Sequence, residues 1–146
     1  MPNYLMGMPA EPESNSLAIP PENQEKPTLL IVDDEPSMLE LLSLMLEAEG
    51  YHVLKAKNSD EALDISSAYH GEIKLLITDV KMDPAMTGYE LAQCLRLMRV
   101  EIKVLYLSGY SDQEMVLWEV EQGLASFLGK PFETTAFRSK VRSLTE

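Results

Sequence analysis

"LLIVDDEPSML", residues 29–39, runs four aliphatic side chains directly into three consecutive acids, Asp33, Asp34 and Glu35. Neighbouring carboxylates raise one another's pKa unless a cation neutralises them. The cluster is therefore either a solvated turn or the seat of something positive. As a turn, the acids would only serve the start of the following helix, where negative charge offsets free N–H groups. That reading leaves several other polar residues, at the ends of later strands, without a purpose.

The chain of 146 residues fits one domain plus a tail. Its hydrophobic fraction of 45% supports an ordinary core, and 12 Lys+Arg against 24 Asp+Glu give a net charge of −12. Such a balance argues against a nucleic-acid surface and against an anionic membrane. A single cysteine, Cys94, excludes an intrachain disulfide framework and a thiolate metal cage. No apolar run approaches the ~20 residues of a membrane helix, and no basic segment precedes an apolar one at the N-terminus. A soluble, cytoplasmic protein is expected.

Residues 1–27 carry six prolines among Glu, Asn, Ser and Met without periodicity, which predicts a disordered leader. From Thr28 onward, short aliphatic runs at 28–32, 51–56, 73–78, 102–107 and 125–128 alternate with helical stretches. The helices are expected at Pro36–Glu49, Ser59–Ala68, Gly88–Met98, Asp112–Gln122 and Thr134–Leu144. Met38, Leu41, Leu42, Met45 and Leu46 follow the spacing of one apolar helix face, and Gly50 and Gly123 close the first and fourth helices. Aliphatic strands covered on both faces mean a parallel sheet of five βα units, an α/β fold.

Open parallel sheets bind ligands outside the carboxyl ends of their strands. Asp33 and Asp34 end the first strand and Asp79 the third, while Ser108 ends the fourth and Lys130 follows the fifth. Mg²⁺ suits such acids, because it takes one or two carboxylates and keeps several waters. Carboxylate, Mg²⁺, a lysine and a hydroxyl together form a site for a phosphoryl group, whose spread charge needs electrostatic clamping.

The sequence resembles the receiver domain of two-component response regulators over residues 28–146. The matching residues are "VDDE" (32–35), Asp79 in "ITDVKM", "LSGYSD" (107–112) and "GLASFLGKPF" (123–132). The resemblance implies a flavodoxin-like, doubly wound sheet of strand order 2-1-3-4-5, with helices on both faces. It implies that Asp79 accepts a phosphoryl group from a histidine kinase phosphohistidine. Asp34 would ligate Mg²⁺, Asp33 would support it largely through water, and the main-chain carbonyl of Lys81 would complete the protein ligands. Ser108 and Lys130 would hold the phosphoryl group, and Phe127 would turn inward as Ser108 moves. A cis bond is expected at Lys130–Pro131. Lys81 and Tyr110 would flank the path of a hydrolytic water, and neither positions water well. The chain is thus expected to be no enzyme beyond slow self-dephosphorylation.

The implied partners are a histidine kinase or phosphotransfer protein and a downstream protein, with a homodimer through the face from the fourth to the fifth helix. The chain ends where a receiver's fifth helix ends, so a stand-alone receiver or one cut from a longer hybrid kinase is expected. One departure stands out: "DVKMDPAMTG" (79–88) carries one residue more than the usual family pattern, with Asp83 before Pro84. Asp83 reads as a solvated loop acid. Two other functions compete with the phosphoacceptor. A receiver-like interaction module without phosphotransfer would not need the complete acidic set. An Mg²⁺-dependent aspartyl-phosphate phosphatase would usually read D-x-D-x-T, which "DVKMD" does not match. His52, His70 and Cys94 read as structural, and Met115 and Trp118 as either packing or partner contacts.

Overall fold

All five residues of the strand Thr28–Val32 (β1) are buried, as expected of a strand flanked by neighbours and covered on both faces. The computed structural model describes residues 26–82 and 86–146. The predicted leader therefore lies almost wholly outside the described residues, as does Asp83. After β1 come α1 (Pro36–Ala48), β2 (His52–Ala56), α2 (Ser59–Ala68), β3 (Leu75–Thr78) and α3 (Gly88–Met98). Then follow β4 (Lys103–Ser108), a 3₁₀ turn (Tyr110–Asp112), α4 (Gln113–Glu121), β5 (Ala125–Gly129) and α5 (Thr134–Thr145). The strands form one parallel sheet in the order β2-β1-β3-β4-β5. Fold class, strand order and every expected element are those anticipated from the sequence.

The sheet divides the core by the two-residue period of its strands. Leu30, Val32, Leu76, Val104 and Tyr106 face a cluster with Ala62 of α2, Leu91, Ala92 and Leu95 of α3, and Val116 of α4. Leu29, Ile31, Leu75, Ile77, Leu105 and Leu107 face Leu42 and Leu46 of α1 and Phe137 and Val141 of α5. A one-residue slip of any central strand would exchange its two sets of contacts, so register is fixed by both layers at once.

Element ends differ from the expected ones by a residue or two. Tyr51 was expected in β2, but its N–H donates to the Leu46 carbonyl and closes α1 instead, with Gly50 at φ +97°. Ile73 packs in the core ahead of β3 rather than within it. The α4 helix starts one residue late because its approach is the 3₁₀ turn. Two helix starts are capped by side chains: Asn58 accepts from the Glu61 N–H at 2.8 Å, and Thr87 exchanges bonds with Glu90 in a capping box. Leu41 departs from the expected buried stripe of α1: it is half exposed, on the rim of a groove with Met38, Met45, Pro131 and Phe132.

A polar knot ties α3, β4 and α4 beneath the sheet edge. The Glu119 carboxylate, 2% exposed, accepts from the Tyr106 hydroxyl at 2.8 Å, from Arg96 at 3.0 Å and from the Gln93 amide. Burial, then the adjacent Glu119 carboxylate, pushes the Tyr106 phenol above its ordinary range. Arg96 also donates to the Leu124 carbonyl at the approach to β5. Removing one member of a buried charged group leaves the others uncompensated. Glu119→Ala is therefore expected to lower unfolding free energy by about 3 kcal/mol, and Tyr106→Phe by about 1 kcal/mol. Urea unfolding midpoints at constant m-value check both.

Candidate functional site

The sheet topology places the carboxyl ends of β1, β3, β4 and β5 along one edge. Asp33 continues β1, its N–H bonding the Ala56 carbonyl of β2 at 3.1 Å, and it is 4% exposed. Its carboxylate accepts from the Glu35 N–H at 2.8 Å, fixing the turn into α1. Asp34 follows and is exposed. Across the strand pair, Asp79 leaves β3 with its side chain 13% exposed. One carboxylate oxygen from each of Asp33, Asp34 and Asp79 lies within 4.8 Å of the others. Lys130, just past β5, brings its ammonium to 2.8 Å from Asp79 Oδ1. The Lys130–Pro131 bond is cis, as expected.

The position of Asp79 is set from below by Gly88. A Cβ placed on Gly88 would stand 1.6 Å from the Asp79 carbonyl oxygen and 2.8 Å from Thr78 Oγ1. Only glycine lets the first turn of α3 lie so close to the backbone that carries Asp79. The Thr78 hydroxyl donates to that same carbonyl at 3.0 Å.

One ammonium faces three carboxylates, and both members of the ion pair register the imbalance. Burial is the largest influence on Asp79 and raises its pKa to about 6; the bond and charge of Lys130 pull it down, and Asp33 and Asp34 push it up again. Asp33 is also raised, first by burial, against the Glu35 N–H and Lys130. Burial lowers Lys130, but its bond to Asp79 and the surrounding acids outweigh this and hold its pKa above the usual value. The site is short of positive charge. An oxygen-only donor set with that deficit fits a hard divalent cation.

Ser108, the last residue of β4, is buried at the same edge, but its hydroxyl donates to Asp112 Oδ2 at 2.7 Å. The ammonium of Lys81, two residues after Asp79, lies 3.3 Å from Asp112 Oδ1. Phe127 is half-buried on β5 against the cluster containing Tyr106 and Val116. Thus Asp33, Asp34, Asp79 and Lys130 meet directly, while Ser108 and Lys81 are engaged one step to the side. Sequence reasoning gave Asp112 no role and did not single out Gly88. The spacing "SGYSD", with an acid four residues after the hydroxyl, was the available signal for Asp112. The loop residue Asp83 and the Tyr110 side chain, both weighed from sequence, fall outside what the structure describes.

The Asp79 value gives a signed expectation. Its folded-state pKa lies above the unfolded value, so its contribution to stability is complete below about pH 4 and is lost as pH rises through about 6. Asp79→Asn, which stands in for the neutral acid, should therefore gain stability relative to wild type by about 3 kcal/mol between pH 4 and pH 7.5. Unfolding of both proteins in EDTA across that range measures the difference. A difference independent of pH would contradict a strained, ionised Asp79.

The family model for the response regulator receiver domain matches residues 29–142. Sporulation initiation phosphotransferase F of Bacillus subtilis is 31% identical over 114 residues, covering 78% of this chain and 90% of that protein. Transcriptional regulatory protein GlrR of Escherichia coli is 31% identical over 118 residues, 81% of this chain, which spans only 26% of that longer protein. Among solved structures, a response regulator receiver domain protein from Clostridium thermocellum superposes with a TM-score of 0.74 at 26% identity, covering 82% of this chain and 94% of its own. Response regulator TrrA from Thermotoga maritima, solved in complex with Mg²⁺-BeF, gives a TM-score of 0.67 at 33% identity, covering 81% and 98%.

Proposed function

Because this chain belongs to the response regulator receiver domain family, we propose that it is a phosphoacceptor switch in a two-component phosphorelay, with Asp79 taking the phosphoryl group. The observation that carries this reading is the meeting of Asp33, Asp34 and Asp79 within 4.8 Å, with Lys130 2.8 Å from Asp79. Asp33 and Asp34, with Asp79 and the Lys81 carbonyl, would hold Mg²⁺, which when bound would supply the positive charge that the site lacks and that phosphoryl oxygens require. An ionised Asp79 oxygen attacks phosphorus, forming a P–O bond as the P–N bond to the donor imidazole breaks. The imidazole nitrogen keeps the electron pair and takes a proton from solvent. Lys130 pairs with the phosphoryl oxygens, and the Ser108 hydroxyl donates to one of them.

Receiver domains of response regulators work with histidine kinases and downstream effectors. For this chain the partners are a histidine kinase or phosphotransfer protein on one side and a downstream protein on the other. The apolar groove of Met38, Leu41, Met45, Pro131 and Phe132 opens beside Lys130 and offers a phosphodonor's helix a seat. On the opposite layer, α4 presents Met115, Leu117 and Trp118, the last 64% exposed. This is a surface for a downstream partner or for a homodimer through the face from α4 to α5. The net charge of −12 disfavours direct nucleic-acid contact. Among the described residues no helix is long and apolar enough to cross a membrane.

Incubation with acetyl phosphate tests the chemistry. Wild type should gain one acid-labile and base-labile phosphoryl group on Asp79 with Mg²⁺ and none in EDTA, as read by intact mass. Asp79→Asn should gain none, while Lys130→Ala should retain some labelling but lose any accompanying change in the spectrum of backbone amides. Equal labelling in EDTA would remove the metal from the proposal, and full labelling of Asp79→Asn would move the acceptor, with Asp83 the first alternative. Multiple-turnover release of phosphate would favour a phosphatase instead.

The acyl phosphate is expected to decay slowly, over minutes to hours, because Lys81, two residues after Asp79, offers no carboxylate or amide to orient water. A tenfold change in lifetime requires only ~1.4 kcal/mol of barrier. Decay after donor removal, compared with Lys81→Asn, measures it; a wild-type half-life of seconds that the substitution leaves unchanged would count against this role.

A further inference from the structure

The Ser108 hydroxyl has one proton to donate, and in this structure Asp112 Oδ2 takes it at 2.7 Å. The other oxygen of the same carboxylate binds the Lys81 ammonium at 3.3 Å. Asp112 is 15% exposed, so these two contacts replace much of its hydration. A short bond from a hydroxyl to a carboxylate is among the strong hydrogen bonds of a protein.

The backbone around Asp112 shows what else that carboxylate forgoes. Asp112 stands at the N-cap of α4, yet its side chain makes no capping bond, and its φ −93° and ψ −4° are helical rather than extended. Asn58 and Thr87, at the starts of α2 and α3, are extended and do cap with their side chains. Aspartate is among the best N-cap residues, so Asp112 is spent on Ser108 and Lys81 in place of the first turn of α4.

Resting on the phosphoacceptor reading above, we propose that Asp112 is a positioning residue that holds the Ser108 hydroxyl away from the phosphoryl site until phosphorylation displaces it. The Ser108 hydroxyl must switch its donation from Asp112 Oδ2 to a phosphoryl oxygen, and Lys81 is loosened in the same exchange. The released carboxylate is then available to the free N–H groups opening α4. Capture of the phosphoryl group is thereby coupled, through one side chain, to the first turn of the helix that carries Met115 and Trp118.

Beryllofluoride with Mg²⁺ serves as the probe, its affinity read by fluorine NMR titration of wild type, Asp112→Ala, Ser108→Ala and the double variant. With Ser108 present, Asp112→Ala should tighten binding by about tenfold, the scale of one charge-assisted hydrogen bond to a hydroxyl. In the Ser108→Ala background the same substitution should change affinity by less than about twofold, since there is no hydroxyl to release. Equal tightening in both backgrounds would mean a general loss of negative charge and would overturn the proposal, as would no tightening in either. Absence of binding by all four proteins would overturn the phosphoacceptor reading together with it. If Asp112→Ala does not fold, Asp112→Asn enters the same cycle: it keeps a weaker, neutral acceptor, and about threefold tightening that depends on Ser108 is expected.

Discussion

The Lys130 ammonium is a single positive charge set against Asp33, Asp34 and Asp79, and the upper edge of this fold is organised around that shortage. A group of carboxylates half removed from water resists full ionisation, which is why Asp79 is shifted upward even with Lys130 2.8 Å away. A hydrophobic replacement of the acids would relieve the strain and remove the chemistry. The strain persists because the parallel sheet over-determines the positions: β1 and β3 are adjacent and in register, so their next residues must meet. An acidic edge short of positive charge is thus stored in the backbone arrangement.

The surrounding contacts serve to keep that edge in place while leaving one helix adjustable. Gly88 lets α3 press against the Asp79 carbonyl, so the backbone under Asp79 has little freedom. Glu119, with Tyr106, Arg96 and Gln93, anchors the last turn of α4 to α3 and β4. The start of α4 is different: it is entered by a 3₁₀ turn and lacks a side-chain cap. The helix is thus fixed by side chains toward its C-terminal end and not at its start.

Two faces of the molecule lie within reach of this edge. The groove between α1 and the segment after β5 borders Lys130 directly. The exposed residues of α4 are reached through β4 and the turn that follows it. Both follow from the same geometry, since consecutive βα units deliver α1 and α5 to one layer and α2, α3 and α4 to the other.

Aliphatic runs alternating with amphipathic stretches fixed, from sequence alone, a parallel α/β sheet, and the strand-end rule then placed Asp33, Asp34, Asp79, Ser108 and Lys130 on one edge. These features are local, with periods of two and 3.6 residues, and so are written in adjacent residues. Elements ended a residue or two from their expected limits where a tertiary bond decided the matter, as with the Tyr51 N–H on Leu46. The half-exposed Leu41 likewise depended on which neighbour packs against α1. What only the tertiary structure decided is which charge pairs with which: Ser108 and Lys81 with Asp112, and Tyr106, Arg96 and Gln93 with Glu119. Apart from Ser108 and Asp112, which stand four residues apart, those pairings join different elements at separations of about 3 Å, and the need for glycine at position 88 likewise comes from its close packing against Asp79. In a medium of low dielectric, contacts at that scale decide the energy of each group, and a pattern of neighbouring residues does not by itself say which of them form.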